Sequence, residues 1–327
     1  MKLGIGAVGF GPKVNIDLER IRFAESLGFD SAWTAEAYGN DAVSTATWVL
    51  ANTTRIKVGT AIMQMPARTP AMAAMTAMTL DQLSGGRFIL GLGASGPQVV
   101  EGWHGVPYGP PLTRTREYIA IIRQILAREK PLEFHGTVYD VPAAGAGTTG
   151  LGKPLKSILH GNPALPIYVA SISPPGLRCA AEVADGVFPM MMDPEKFDRS
   201  YLPYLTDGFA KAGGGKGLAS FAVVPGVTVI VTDDLEKGRA AVKGGMALYI
   251  GGMGARGKNF YNDLACRYGF EAEAKKIQDL YLDGKKDEAA AAVPDQLADE
   301  VTLVGPKERL RDRLAAWRES GVTTMIC

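Results

Sequence analysis

The sequence predicts an α/β chain folded as a (β/α)8 TIM barrel, and three observations carry that expectation. Short apolar runs alternate with amphipathic stretches along the chain, a pattern that gives a parallel sheet with crossover helices. Eight of the runs read as strands, the number that closes a barrel. The 327 residues, 46% apolar and 21% charged, suffice for one large core without disulfide staples. The expected organisation is a single domain over 1–327 with a loop-rich insertion around 143–163.

Each element follows in order. Leu3 to Val8 reads as a buried strand, and Ile16 to Leu27 as a helix capped by Asn15. Ser31 to Ala35 is the second strand, Asp41 to Ala51 a helix, Ile56 to Ile62 the third strand and Ala71 to Leu83 a helix. Ser84-Gly85-Gly86-Arg87 turns into strand four, Phe88 to Leu92, and helix Thr113 to Arg128 follows a Pro/Gly-rich loop. Glu133 to Val141 predicts a short hairpin around His135-Gly136. The stretch Ala143 to Pro163, rich in Gly, Ala, Thr and Pro, reads as a surface insertion. Strand five is Ile167 to Ala170, with helix Gly176 to Ala184 after it. Strand six is Gly186 to Met190, followed by helical sequence to Ala212. Strand seven is Phe221 to Val231, and a helical region runs from Asp234 to about Ala292. Helix Pro306 to Ser320 and strand Thr323 to Ile326 end the pattern.

A doubly wound open sheet is the competing architecture. Gly4-x-Gly6-x-x-Gly9 has the spacing of a dinucleotide fingerprint. It lies inside a strand pattern rather than at a strand-to-helix turn, and no acidic ribose partner stands out, so the match reads as chance.

Composition narrows the function. A formal net charge of +1 with no long run of like charge argues against a nucleic-acid or anionic-membrane partner. No apolar stretch has the length of a membrane span. Cys179, Cys266 and Cys327 form no CxxC pair and no even set, which fits a reduced, cytoplasmic setting. His104, His135 and His160 have no HxH or HxxxH neighbour, so no zinc site of the usual kind is expected. No Walker A sequence and no G-x-S-x-G elbow occurs.

In a barrel the working groups sit at the carboxyl ends of the strands. Glu36, directly after strand two, is either a proton-transfer acid or a capping carboxylate. Gly93-Ala94-Ser95-Gly96 offers small side chains and free N–H groups to a flat ligand, or is an ordinary tight turn. In Ser171-Ile172-Ser173-Pro174-Pro175-Gly176 the hydroxyls and N–H groups suit a phosphate at a helix N-terminus. Ser173 as N-cap, with proline at the first helical position, accounts for the same residues. Met190-Met191-Met192 lines an adaptable apolar pocket or simply fills the core. His104 follows strand four and is either a group at the mouth or a solvated loop residue.

These segments resemble the bacterial-luciferase-like superfamily, and within it the coenzyme F420-dependent oxidoreductases. The resemblance spans the chain and rests on Phe29-Asp30-Ser31-Ala32-Trp33, Ile56 to Ile62, Asp81 to Gly93, Thr115-Arg116-Glu117-Tyr118, Ala184-Asp185-Gly186 and Val304-Gly305-Pro306. The stretch Ser95 to Tyr118 is similar to an actinobacterial subgroup whose substrates are unassigned. The resemblance implies a deazaflavin across the barrel mouth, backed by a non-proline cis peptide that falls by position at Ala61-Ile62. It implies cofactor contacts from Glu36 and Gln64, and a phosphate turn at Ile172, Ser173, Pro175 and Gly176. It also implies a homodimer. The sequence departs from the sugar-phosphate dehydrogenases of this family. Ala37 stands where they carry a histidine, and Gly96 or Pro97 where they carry a second acid. A glucose-6-phosphate dehydrogenase is therefore not expected, and the proton donor stays open among Glu36, His104 and water. The expected activity is F420-dependent hydride transfer between the deazaflavin C5 and a small, rather apolar substrate. The alternatives are an FMN-dependent monooxygenase and a non-catalytic cofactor-binding protein.

Overall fold

A computed structural model describes residues 1–9 and 11–327. The chain forms two compact units, Leu3–Ala170 with Cys179–Gly186, and Val187–Cys327 with Met1–Lys2 and Ser171–Arg178.

The first unit is built on β1 (Lys2–Gly6), β2 (Ser31–Thr34), β3 (Lys57–Thr60), β4 (Met63–Gln64), β5 (Phe88–Gly93), the hairpin pair β6 (Phe134–His135) and β7 (Asp140–Val141), and β8 (Ile167–Ala170). Its parallel order is β8-β5-β3-β2-β1, with β4 added on β5. Strands β2 and β5 are buried at every residue, as parallel strands covered on both faces must be. Gly4 and Gly59 admit the Trp33 ring. A Cβ at either would meet it at 2.8 and 2.4 Å. The Gly4-x-Gly6-x-x-Gly9 spacing thus falls where β1 packs on an indole.

Helix boundaries follow from local chemistry. Helix Ala42–Ala51 is capped by Asp41, which accepts from the Ser44 N–H at 2.7 Å. Helix Pro70–Ser84 has Thr69 as cap, proline in its first turn, and Gly85 at φ +67° at its end. The first helix is Leu18–Ser26, capped by Asp17 through the Arg20 N–H rather than by Asn15. A carboxylate at this position meets both the free N–H and the positive helix end. Strand three stops at Thr60, short of the expected Ile62. Ala61–Ile62 is a cis peptide, and Met63–Gln64 pairs with β5 separately. The hairpin forms as expected, held by Glu117, whose carboxylate accepts from the N–H groups of Thr137, Val138 and Tyr139 at 2.7–2.9 Å. Residues 143–163 carry no helix or strand and are mostly exposed.

The second unit holds β9 (Gly186–Phe188), β10 (Ala222–Val223), β11 (Val229–Val231), β12 (Leu303–Gly305) and β13 (Thr324–Ile326). Strand seven, expected over Phe221 to Val231, is split. Pro225 lacks an N–H for a ladder, and Gly226 continues the strand only through parallel bridges to Met190 and Ile326. Val229–Val231 instead pairs with β12, a strand absent from the sequence reading. Strands β1, β2, β3, β5, β8, β9, β10 and β13 make up the eight-strand path of the main sheet among the described residues, the expected number, and β4, β11 and β12 are further parallel strands. The helical region after Asp234 resolves into Leu235–Ala247, extended by a π turn, then Phe260–Arg267, Glu271–Leu282 and Lys286–Ala291. Among the described residues, no helix is long and apolar enough to cross a membrane.

Candidate active site

The carboxyl ends of β2 to β5 converge on Glu36. Its Oε1 accepts from Arg68 Nη1 at 2.6 Å and from the Gln64 N–H at 2.7 Å. Its Oε2 accepts from Arg68 Nη2 at 3.1 Å and from the Ala42 N–H, in the first turn of a helix, at 2.9 Å. The Arg68 contact is bidentate, the strong geometry for this pair. The glutamate side chain is 4% exposed and that of Arg68 19%. All the usual acceptor directions of the carboxylate are taken by these four donors. Glu36 thereby ties the loop after β2 to β4 and to the following helix.

Around this knot the backbone is fixed strand to strand. The Ala61 N–H donates to the Thr34 carbonyl at 2.6 Å, and the Glu36 N–H to the Ile62 carbonyl at 3.3 Å. Thr60 Oγ1 exchanges hydrogen bonds with Gly91 at 2.7 and 3.0 Å. Gly93 leaves room for Ile62, since a Cβ there would lie 2.7 Å from that side chain. Ala94 and Ser95 are half-buried, and Ser95 sits at φ +58°, an uncommon conformation for a residue with a Cβ. Its carbonyl accepts from the Tyr108 hydroxyl at 3.3 Å, while Arg114 donates to the Tyr108 and Pro107 carbonyls at 2.5 and 3.0 Å. Burial pushes the Tyr108 phenol up, partly opposed by the Arg114 charge.

Gln64 is 1% exposed. Its Nε2 donates to the Ala37 carbonyl at 2.6 Å, and its Oε1 lies 3.3 Å from Nε2 of the half-buried His104. The structure therefore brings Glu36, Gln64 and His104 into one hydrogen-bonded chain.

The turn Ser171 to Gly176 belongs to the other unit. Ser173 Oγ accepts from the Gly176 N–H at 3.3 Å, which agrees with a capping role. A Cβ on Gly176 would lie 2.1 Å from Ser171 Oγ and 2.9 Å from Ser173 Oγ, so the cradle between the two hydroxyls exists only with glycine there. Arg267 donates through Nη2 to the Ile172 carbonyl at 2.7 Å, and its Nε is buried with no partner. Buried polar groups are ordinarily satisfied. A glycine-lined cradle beside an incompletely paired guanidinium fits a phosphate. Of the three methionines, Met191 and Met192 are core residues, 8% and 0% exposed. Met191, at φ +52°, is held by the Tyr268 hydroxyl on its carbonyl at 3.1 Å. Only Met190 is half-exposed, with the Tyr261 hydroxyl 3.8 Å from its Sδ.

Sequence reasoning missed Arg68 and Arg267. Arg68 carried a signal, because it is the only charged residue between Lys57 and Asp81 and lies between Pro66 and Pro70. Arg267 carried none, sitting on an ordinary amphipathic helix 95 residues from its partner Ile172.

The family model described as luciferase-like monooxygenase matches residues 11–324. A protein of Mycobacterium tuberculosis named "Putative coenzyme F420-dependent oxidoreductase Rv3520c" is 44% identical over 329 residues, covering 100% of this chain and 94% of its own length. A 5,10-methylenetetrahydromethanopterin reductase of Archaeoglobus fulgidus is 28% identical over 312 residues, covering 94% and 87%. Among solved structures, the coenzyme F420-dependent tetrahydromethanopterin reductase of Methanopyrus kandleri superposes with a TM-score of 0.79 at 24% identity, covering 99% of this chain and 92% of its own. At that identity the likeness speaks for the fold alone, a TIM barrel as the strand pattern predicted and luciferase-like as the resemblance implied.

Proposed function

The chain belongs to the luciferase-like monooxygenase family, and we propose that it is a coenzyme F420-dependent oxidoreductase acting on a small, rather apolar organic substrate. The observation that carries this reading is the 44% identity over the whole chain to a relative of that name. When bound, the deazaflavin supplies hydride chemistry at its C5, and the protein supplies position and electrostatics. Ala61, Ile62, Gly93, Ala94 and Ser95 form the backbone surface for the ring, with Gln64 at its edge. Ser171, Ile172, Ser173, Pro175 and Gly176 cradle the phosphate, with Arg267 as the cation beside them. Glu36, fully engaged by four donors, is a positioning group, so the proton role passes to His104. The half-exposed thioether of Met190 supports an apolar substrate.

Titration with F420 and separately with FMN, read by fluorescence, tests the reading. Tight binding of F420 and weak binding of FMN is the expected result. The reverse preference would replace it with a reduced-FMN monooxygenase, the reading that the family model's description favours.

The same reading includes a homodimer, supported by one face of the first unit. Helices Ala42–Ala51 and Pro70–Ser84 pack together and carry one charge between them, the buried Asp81, yet expose Trp48, Met72, Met75 and Leu83. An uncharged apolar face of this kind marks an interface, and a second copy of the chain is its occupant. Met75→Arg is expected to convert a dimer to monomer in light scattering; an unchanged mass would exclude this face.

A further inference from the structure

We propose that Gln64 fixes His104 as its Nε2–H tautomer, which makes Nδ1 the ring atom that exchanges the substrate's proton. The proposal deepens the F420-dependent reading above and rests on it for the proton step only. The Ala37 carbonyl can only accept. The end of the Gln64 amide 2.6 Å away must therefore be its NH2 group. That choice turns the amide oxygen toward His104, and an oxygen with no hydrogen of its own needs a donor. Across the 3.3 Å contact the donor is His104 Nε2–H. Reversing these roles would set Gln64 Oε1 against the Ala37 carbonyl with no hydrogen between them, while the Gln64 backbone N–H stays anchored on Glu36 Oε1 at 2.7 Å. The Glu36–Arg68 pair, closed by the bidentate contact, holds that anchor in turn.

The consequence is chemical. With Nε2–H committed, Nδ1 carries the lone pair of the neutral ring, and it has no hydrogen-bond partner among the described residues. Gln64 Oε1 accepts from Nε2–H in the neutral ring and, more strongly, in the imidazolium. Proton gain and loss at Nδ1 therefore require no rearrangement of the network. When bound, reduced F420 would supply the hydride to an acceptor and release its own ring N–H proton to solvent, while the Nδ1–H of the imidazolium would give its proton to the acceptor oxygen. The reduced acceptor, oxidised F420 and neutral His104 result. In the opposite direction Nδ1 takes the proton. Gln64 is a positioning residue in this scheme.

Two measurements decide the proposal. Long-range 15N–1H correlation on the 15N-histidine-labelled chain, without cofactor and at a pH where the rings are neutral, reads the tautomer directly. His135→Asn and His160→Asn assign the signals. The expected spectrum has a fully protonated-type Nε2 and a fully acceptor-type Nδ1 for His104, relaxing in Gln64→Leu toward the tautomer mixture of a free histidine side chain. A predominant Nδ1–H form, or an identical spectrum in Gln64→Leu, would overturn the role of Gln64. Oxidation of reduced F420 by menadione, a small apolar quinone that takes a hydride and a proton, then compares the wild type with His104→Gln. A rate loss of about 10²–10⁴-fold with F420 affinity retained is expected; an unchanged rate overturns the proton role. A chain that bound no F420 would sink the function reading alone, since the tautomer is read without cofactor.

Discussion

The Glu36 cluster and the Ser171–Gly176 turn are both polar and both near strand ends, yet they treat their hydrogen-bonding atoms in opposite ways. At Glu36 both carboxylate oxygens have two donors each, and Gln64 has a partner on both ends of its amide. At the turn, a glycine lets two serine hydroxyls close around it, and the neighbouring Arg267 keeps a buried Nε without a partner. A site satisfied in the free protein contributes to stability and holds geometry, whereas a site with spare donors is completed by its ligand. The first region should therefore answer mutation in folding and the second in binding.

The largest expected effect breaks the first region. Arg68→Ala leaves a carboxylate with a 4% exposed side chain facing only backbone donors, and removing one partner of such a pair costs about 3–5 kcal/mol. A urea denaturation midpoint measures it. The double variant Glu36→Gln/Arg68→Ala is expected to recover part of the loss, because no unpaired charge remains. A shift below about 1 kcal/mol for the single variant would mean that the knot is not structural.

That knot shows how much the sequence disclosed. The alternation of elements placed Glu36, Gln64 and Gly93 at strand ends, and Asp41 and Gly85 punctuate helices as their chemistry requires. The resemblance located Ala61–Ile62, where the cis peptide lies. What Glu36 does was not legible, because its partner Arg68 is 32 residues away and the pairing exists only once β2 and β3 lie side by side. The His104–Gln64 contact, 40 residues apart, was hidden for the same reason. Strand seven, expected as one run over Phe221 to Val231, carries Pro225-Gly226 in its middle. Apolar periodicity outweighed a breaker that should have split the segment.

Gly93→Ala is the next largest effect and probes shape in place of charge. The added methyl falls 2.7 Å from Ile62 Cδ1 and Cγ1, and overpacking of this kind costs about 1–3 kcal/mol. Thermal unfolding and F420 affinity should both suffer, since Ile62 Cβ also lies only 3.3 Å from the new methyl and the side chain must shift. An unchanged midpoint would show that the Ile62 side chain relocates freely. Gly176→Ala should separate the two observables. Serine hydroxyls can rotate away from the new methyl, so stability should change by less than about 1 kcal/mol. The cradle is nonetheless filled, and F420 affinity should fall about tenfold, or about 1.4 kcal/mol. Equal affinity in a well-folded Gly176→Ala variant would remove the phosphate from this turn.

The smallest effect concerns pH and sharpens the first region's role in folding. Burial raises the Asp41 carboxyl, but hydrogen bonds from Ser44, with the N–H of Val43 and the charge of Arg68, outweigh it and leave the group below its ordinary value of 3.8. A carboxyl lowered in the folded state contributes stability that is present above 3.8 and is lost as pH falls through the folded value. Asn at position 41 still caps the helix but carries no charge toward the helix end, a difference of about 0.3–1 kcal/mol. Asp41→Asn should therefore be less stable than the wild type at pH 7. The two should converge as pH drops below 3.8, measured by urea unfolding across that window. If the gap stayed constant down to strong acid, shape rather than charge would account for it, and Asp41 would drop out of the electrostatics around Arg68.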